Sequence, residues 1–140
     1  MRVIIVGCGR LGARLASKLD DDSNDVVIVD TNRRSFRRLA PTFRGDTIIG
    51  TGIDEDVLRK AGIEQADVFI SVTEGDNRNI FAAQVAKVTF RVPQVFARIY
   101  DPIRAETYGK LGLNVICPTI SVSDDVLATI SADSSRQAGN

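Results

Sequence analysis

Arg2-Val3-Ile4-Ile5-Val6-Gly7-Cys8-Gly9-Arg10-Leu11-Gly12 is the stretch that decides the fold of this 140-residue chain. A run of β-branched residues stops at a glycine. Two more glycines follow at the spacing G-x-G-x-x-G, and an apolar periodicity opens behind them at Leu11, Leu15, Ala16 and Leu19. The order predicts a strand, a tight turn and a helix. In this arrangement Gly7 permits the turn, Gly9 lets a backbone approach a diphosphate, and Gly12 lets helix and strand pack closely. The helix N-terminus then offers free N–H groups to an anion.

The glycine pattern alone is weak evidence, and its surroundings strengthen it. Val26-Val27-Ile28-Val29-Asp30 reads as a second buried strand that ends in an acid. Asp30 stands 18 residues after Gly12, close to the offset of ~20 at which a carboxylate accepts hydrogen bonds from an adenosine ribose. A bound nucleotide or dinucleotide is the expectation, against a glycine turn that merely joins strand to helix. Arg10 falls in the first helical turn, where its charge opposes the helix dipole unless an anion is present. It reads as a phosphate contact, with a solvated arginine as the alternative. Asp30 repels a 2′-phosphate and so favours NAD over NADP, although Arg33 and Arg34 follow closely and an arginine there accommodates such a phosphate. Cys8 lies where a helix N-terminus lowers a thiol pKa, but a small residue accepted in a tight turn is the stronger reading.

Outward from this unit the chain alternates near-continuous apolar runs with amphipathic ones. A helix over Asn32–Ala40 is expected to turn Phe36, Leu39 and Ala40 inward and to carry four arginines on a shared face, solvated or, as the alternative, a local anion or partner site. Strands follow at Thr47–Gly50, Asp67–Thr73, Gln94–Ile99 and Asn114–Cys117. Helices are expected after Asp54, after Asn77, over Ile103–Lys110 and over Thr119–Ser131. Such alternation indicates a parallel sheet covered on both faces. The expectation is an α/β, Rossmann-type, doubly wound sheet of about six strands in a single domain over residues 1–131, followed by a polar, disordered tail over residues 132–140.

Composition bounds the chemistry. Apolar residues make up 44% of the chain and charged residues 26%, and 18 basic residues balance 18 acidic ones. Nothing global points to nucleic acid or to direct membrane insertion. Histidine is absent and the two cysteines are far apart, which speaks against a structural zinc site and removes the commonest general base. Catalysis has no visible apparatus here.

In open parallel sheets the ligand crevice lies beyond the carboxyl ends of the strands. Those ends supply Gly7 to Gly12, Asp30, Gly50 to Gly52, Thr73 to Asp76 and Arg98. Thr73 reads equally as a strand-ending hydroxyl or a ligand contact. Arg98 reads equally as a cationic phosphate clamp or the partner of an acid such as Asp101.

The same residues carry a family resemblance. Gly7-Cys8-Gly9-Arg10-Leu11-Gly12, Asp30, Asp56-Val57-Leu58-Arg59-Lys60-Ala61-Gly62-Ile63 with Ala66-Asp67, Val72-Thr73 with Asp76 and Asn79, and Ala97-Arg98-Ile99 with Asp101-Pro102 together resemble the KTN/RCK nucleotide-binding domains, also called TrkA-N domains, of Trk and Ktr potassium uptake regulators. The resemblance implies a non-enzymatic regulatory subunit that binds NAD⁺ or NADH, or alternatively ATP or ADP, and gates a membrane potassium transporter. It implies a cytoplasmic location, peripheral to the inner face of the plasma membrane through that transporter. It implies a homo-oligomer, a dimer or a ring of dimers, assembled through the terminal helix, and a C-terminal regulatory domain that is absent here. Carried over by residue, Gly7, Cys8, Gly9, Arg10, Leu11 and Gly12 wrap the diphosphate, Asp30 holds the adenosine ribose, Thr73 and Glu74 line the cleft, and Arg98 reaches phosphate or ribose. Thr51 departs from the pattern, because family members commonly carry an acid or amide after the third-strand glycine. Two rival readings are an NAD-dependent oxidoreductase fragment lacking its substrate domain, and an assembly module whose loop has lost its ligand.

Overall fold

Valine and isoleucine dominate the runs that pair side by side, because a β-branched side chain packs well on a pleated surface. The computed structural model describes residues 1–139. Six strands, β1 (Arg2–Val6), β2 (Asp25–Asp30), β3 (Asp46–Ile49), β4 (Val68–Ser71), β5 (Gln94–Arg98) and β6 (Asn114–Ile116), form one sheet in the order β3-β2-β1-β4-β5-β6. Every neighbouring pair is parallel. The helices α1 (Arg10–Asp21), α2 (Glu55–Lys60), α3 (Asp76–Gln84), α4 (Pro102–Lys110) and α5 (Pro118–Ala138) connect or follow them. The doubly wound fold expected from the alternation is the one observed.

Alternation along each strand divides the core in two. Ile4, Val6, Val27, Val29 and Phe69 pack on one face with Leu58 of α2 and Ala82, Ala83 and Ala86 of α3 and its extension. Val3, Ile5, Val26, Ile28 and Ile70 pack on the other with Ala13 and Ala16 of α1. Fully burying each large aliphatic side chain contributes ~1.5–3 kcal/mol, so β1, buried on both faces, anchors both layers. A third cluster of Ile80, Ile99, Ala105 and Cys117 seats α4 beyond β5.

Two expected elements differ. The segment after β2 forms a 3-10 helix over Arg33–Arg38 rather than a longer α-helix over Asn32–Ala40. Arginines at 33 and 37, and at 34 and 38, would stand as like-charge neighbours one α-turn apart, which destabilises an α-helix. Asn32 meanwhile accepts from the Arg34 amide at 3.0 Å and holds the tighter turn. Phe36 and Leu39 still pack against the core. At the other end, α5 continues through Ala138, past the Ser131 boundary and into the tail expected to be disordered. No Gly or Pro intervenes between Ser131 and Ala138, and the Ser135 hydroxyl donates to the Ser131 carbonyl at 3.0 Å; Asn140 lies outside the described residues. The strand limits move by a residue or two, β4 ending at Ser71 rather than Thr73.

The amino-terminal edge of the sheet is closed by its own side chains. Arg2 pairs with Asp25 and donates to the Ala61 carbonyl at 2.9 Å, while its amide donates to the Asp67 carboxylate at 2.8 Å. Gly62, at φ +85°, leaves the space that the Arg2 guanidinium fills.

Candidate nucleotide-binding site

Strand order reverses between β1 and β4: β1 leads outward to β2 and β3, and β4 to β5 and β6. The loops at the carboxyl ends of β1 and β4 therefore diverge and leave a crevice. A cleft of about 780 Å³ occupies that place, within the range of ~300–1,000 Å³ typical of small-molecule sites.

The glycines build its floor. Gly7 has φ +106°, and a Cβ there would lie 2.8 Å from the Val72 backbone; only glycine accepts both conditions. At Gly12 a Cβ would fall 1.8 Å from the Gly7 carbonyl oxygen, so its absence lets α1 press onto the turn. Around a Cβ at Gly9 there is no atom within 4 Å, and Gly9 lines the cleft. The turn at Gly7 and the close packing at Gly12 are those the spacing implies, and Gly9 leaves open space at the cleft. Gly12 and Cys8 do not line the cleft, whereas Gly7, Gly9, Arg10 and Leu11 do.

Cys8 points into the core and is fully buried. Its thiol faces the Ser35 carbonyl at 3.3 Å. Burial, reinforced by the Asp30 charge, pushes its pKa up to about 11, with Arg38 opposing. The lowering suggested by the helix N-terminus is therefore overturned, because desolvation of the thiolate outweighs the dipole.

Asp30 is spent partly on the loop. One oxygen accepts from the Cys8 amide at 2.8 Å and the other from the Asn32 amide at 2.8 Å. A carboxylate has about four lone-pair positions, so Asp30 fixes the loop and retains acceptor capacity toward the cleft that it lines. Thr51 also lines the cleft, and its hydroxyl accepts from the Ile53 amide at 3.3 Å. Glu74 is exposed at the rim.

Arg98 does not pair with Asp101. It donates to the Thr73 carbonyl at 2.8 Å and lies over the Tyr100 ring at 4.9 Å, while its Nε is buried without a partner. Asp101 instead caps α4 through the Ile103 amide at 3.0 Å. Arg38 and Arg78 join Arg10 and Arg98 around the cleft. Among the described residues none of these four arginines has an ion pair. Neither Arg78 nor Tyr100 was singled out from the sequence. The signal for Arg78 was its place in the first turn of the helix that leaves β4 at the crevice.

Asp54 caps α2 and Asp101 caps α4, whereas α1 and α3, which leave the crevice, start at Gly9 and Gly75 without a side-chain cap, as α5 does at Cys117. The amides of the first turn of α1 are thus left to a ligand beside Arg10. The uncapped amides, the room above Gly9 and the unpaired guanidiniums fit a nucleoside diphosphate moiety.

Comparison with known proteins places the fold and the family. A family model described as the TrkA-N domain matches residues 3–118. The Trk system potassium uptake protein TrkA of Streptomyces coelicolor is 46% identical over 127 residues, covering 91% of this chain and 57% of that protein. The chain thus spans little more than half the length of that relative. The solved TrkA-N domain of the inner membrane protein ybaL from Escherichia coli has a TM-score of 0.80 at 19% identity, covering 91% of this chain and 95% of that one. The GsuK channel bound to NAD has a TM-score of 0.74 at 23% identity over 92% of this chain and 23% of that one. The two structural likenesses speak to the fold alone; with the family model matched along most of its length and a close curated relative, the chain belongs to the TrkA-N domain family.

Proposed function

We propose that this chain is the regulatory nucleotide-binding domain of a Trk-type potassium uptake system. It takes NAD⁺ or NADH in the cleft, with ATP or ADP as the alternative, and acts as a sensor rather than an enzyme. The observation that carries the reading is the cleft at the sheet's switch point, where four arginines without ion pairs surround an uncapped helix N-terminus. An anionic ligand neutralises that cluster; among the described residues no carboxylate forms an ion pair with it. The relative's naming as a potassium uptake protein and the NAD bound to the GsuK channel support the same reading.

In this role Arg10 and the first-turn amides of α1 hold the diphosphate, and Asp30 accepts from the adenosine ribose. The absence of histidine from the chain supports a sensor. Two nucleotides regulate only through unequal affinity for two arrangements of the assembled domains. The membrane transporter is the partner that reads the difference, from the cytoplasmic side.

Assembly through α5 is part of the proposal. Its 21 residues include no buried one, and Ile120, Val122, Val126, Leu127 and Ile130 are each between 41% and 60% exposed. A solitary solvated helix gains little stability, and the apolar hollow of about 540 Å³ between α4, β6 and the start of α5 offers a place for a second copy.

Calorimetric titration with NAD⁺, NADH, ATP and ADP at one ionic strength tests the reading, with Asp30→Ala and Arg10→Ala alongside. At least two ligands are expected to bind with different affinities. Arg10→Ala and Asp30→Ala should each weaken all of them, because all four carry the diphosphate and the adenosine ribose. Binding by none would remove the sensor reading.

A further inference from the structure

A hydrogen-bond account around Asn79 shows what Thr73 has left to offer a ligand. Asn79 is fully buried beneath the cleft. Its Oδ1 accepts from the Thr73 amide at 2.9 Å, and its Nδ2 donates to the carbonyls of Thr73 and Arg98, both at 2.9 Å. A backbone N–H only donates and a carbonyl only accepts, so these three contacts leave one orientation for the amide. The Thr73 hydroxyl lies 2.6 Å from the same Oδ1. Since that oxygen has no proton, the hydroxyl must donate to it. The Ser71 hydroxyl donates to it as well, at 3.0 Å.

The remaining groups of Thr73 are also committed. Its carbonyl already accepts from both Asn79 and Arg98. Its amide proton and hydroxyl proton are both spent on Asn79. Only lone pairs on the hydroxyl oxygen remain for the cleft that Thr73 lines.

We infer that Thr73 is a specificity-determining residue that accepts a hydrogen bond from a sugar hydroxyl, and that Asn79 is the positioning residue that holds it proton-poor. This deepens, and rests on, the nucleotide-binding reading of the same cleft. β2, β1 and β4 are consecutive in the sheet, so Asp30 and Thr73 flank the glycine loop at two strand spacings, ~10 Å. With Asp30 on the first ribose and the diphosphate over the loop, the group reaching Thr73 is either a second ribose or a terminal phosphate. An ionised phosphate offers no donor, and its oxygens meet the lone pairs of Thr73 unfavourably. Arg78 and Arg98 can donate to either group and their charge favours the phosphate, so discrimination toward the sugar falls to Thr73. The ligand class selected is a diphosphate bearing a second sugar, such as a dinucleotide, over a nucleoside triphosphate.

The test is calorimetric titration of wild type, Thr73→Val, Thr73→Ser and Asn79→Ala with NAD⁺, ADP-ribose, ADP and ATP, with melting temperatures recorded. Thr73→Val keeps the shape and removes the acceptor. It should weaken NAD⁺ and ADP-ribose about tenfold, the loss expected of one hydrogen bond, and leave ADP and ATP within about twofold. Thr73→Ser should restore ADP-ribose binding. Asn79→Ala frees the hydroxyl proton, so the preference for ADP-ribose over ATP should shrink; in the Thr73→Val background the same change should leave that preference where Thr73→Val put it. A ratio taken within one variant is insensitive to general destabilisation. Equal losses for all four ligands, or none, would overturn the inference while leaving the sensor standing. If no ligand binds the wild-type chain, both readings fall.

Discussion

The two edges of the sheet treat arginine in opposite ways. At the amino-terminal edge Arg2 meets the Asp25 carboxylate and the Ala61 carbonyl, and its guanidinium fills the space above Gly62. At the carboxyl edge Arg10, Arg38, Arg78 and Arg98 surround a cleft with no ion pair among the described residues. The first edge has its charge matched, with only the Arg2 Nε buried without a partner, and gives stability. The second leaves charge and helix amides unspent, at a cost in self-repulsion that an anionic ligand reverses. The difference shows where the chain is built for something other than its own folding.

The sharpest way to break this contrast is inside the glycine loop of the second region. Gly12→Ala places a methyl where the Gly7 carbonyl stands, and overpacking of this kind costs ~1–3 kcal/mol or more. Urea denaturation should register that loss, and calorimetry should find nucleotide binding abolished. Normal binding by a stable Gly12→Ala chain would contradict the packing role. Arg2→Met should cost ~1–2 kcal/mol, from the orphaned Ala61 carbonyl and the lost pair, with nucleotide affinity unchanged. Arg78→Gln should do the reverse. Its stability should stay within ~0.5 kcal/mol of wild type, while affinity for NAD⁺ falls severalfold and its salt dependence weakens. If Arg2→Met impairs binding, or Arg78→Gln impairs folding, the separation of roles fails.

The smallest effect concerns Cys8. Its pKa is raised to about 11 in the fold, so between about pH 9 and that value the folded chain binds more protons than the unfolded one. Stability contributed by the neutral thiol is complete below the unfolded pKa and is lost as pH rises toward 11. Thermal melts from pH 8.5 to 10.5 should therefore fall more steeply for wild type than for Cys8→Ala. Parallel curves would show that the thiol opens to solvent.

Much of the fold was legible because period and punctuation agree locally. Val3 to Val6 and Val26 to Val29 are too uniformly apolar for a half-exposed strand, and Gly7 and Gly12 stand where a turn and a close helix need them. The 3-10 helix at Arg33–Arg38 was less legible, since repulsion between arginines competes with an otherwise plausible helical pattern. The extension of α5 was missed because a polar composition was read as disorder, although nothing in Ser131–Ala138 breaks a helix. In the site, Asp30 was found from its spacing to Gly12. Its bond to the Cys8 amide was not, because that contact crosses 22 residues.

By itself the sequence determined the layered α/β fold, the glycine turn and the acid that follows it, all of which follow from short-range spacing. Only the tertiary structure decided which side chains remain unpaired around the cleft, that Cys8 faces the core, and that Asn79 takes the proton of Thr73. Those outcomes depend on which strand ends lie beside one another, and a hydrogen bond or an unmatched charge exists only once the sheet has brought distant residues within reach.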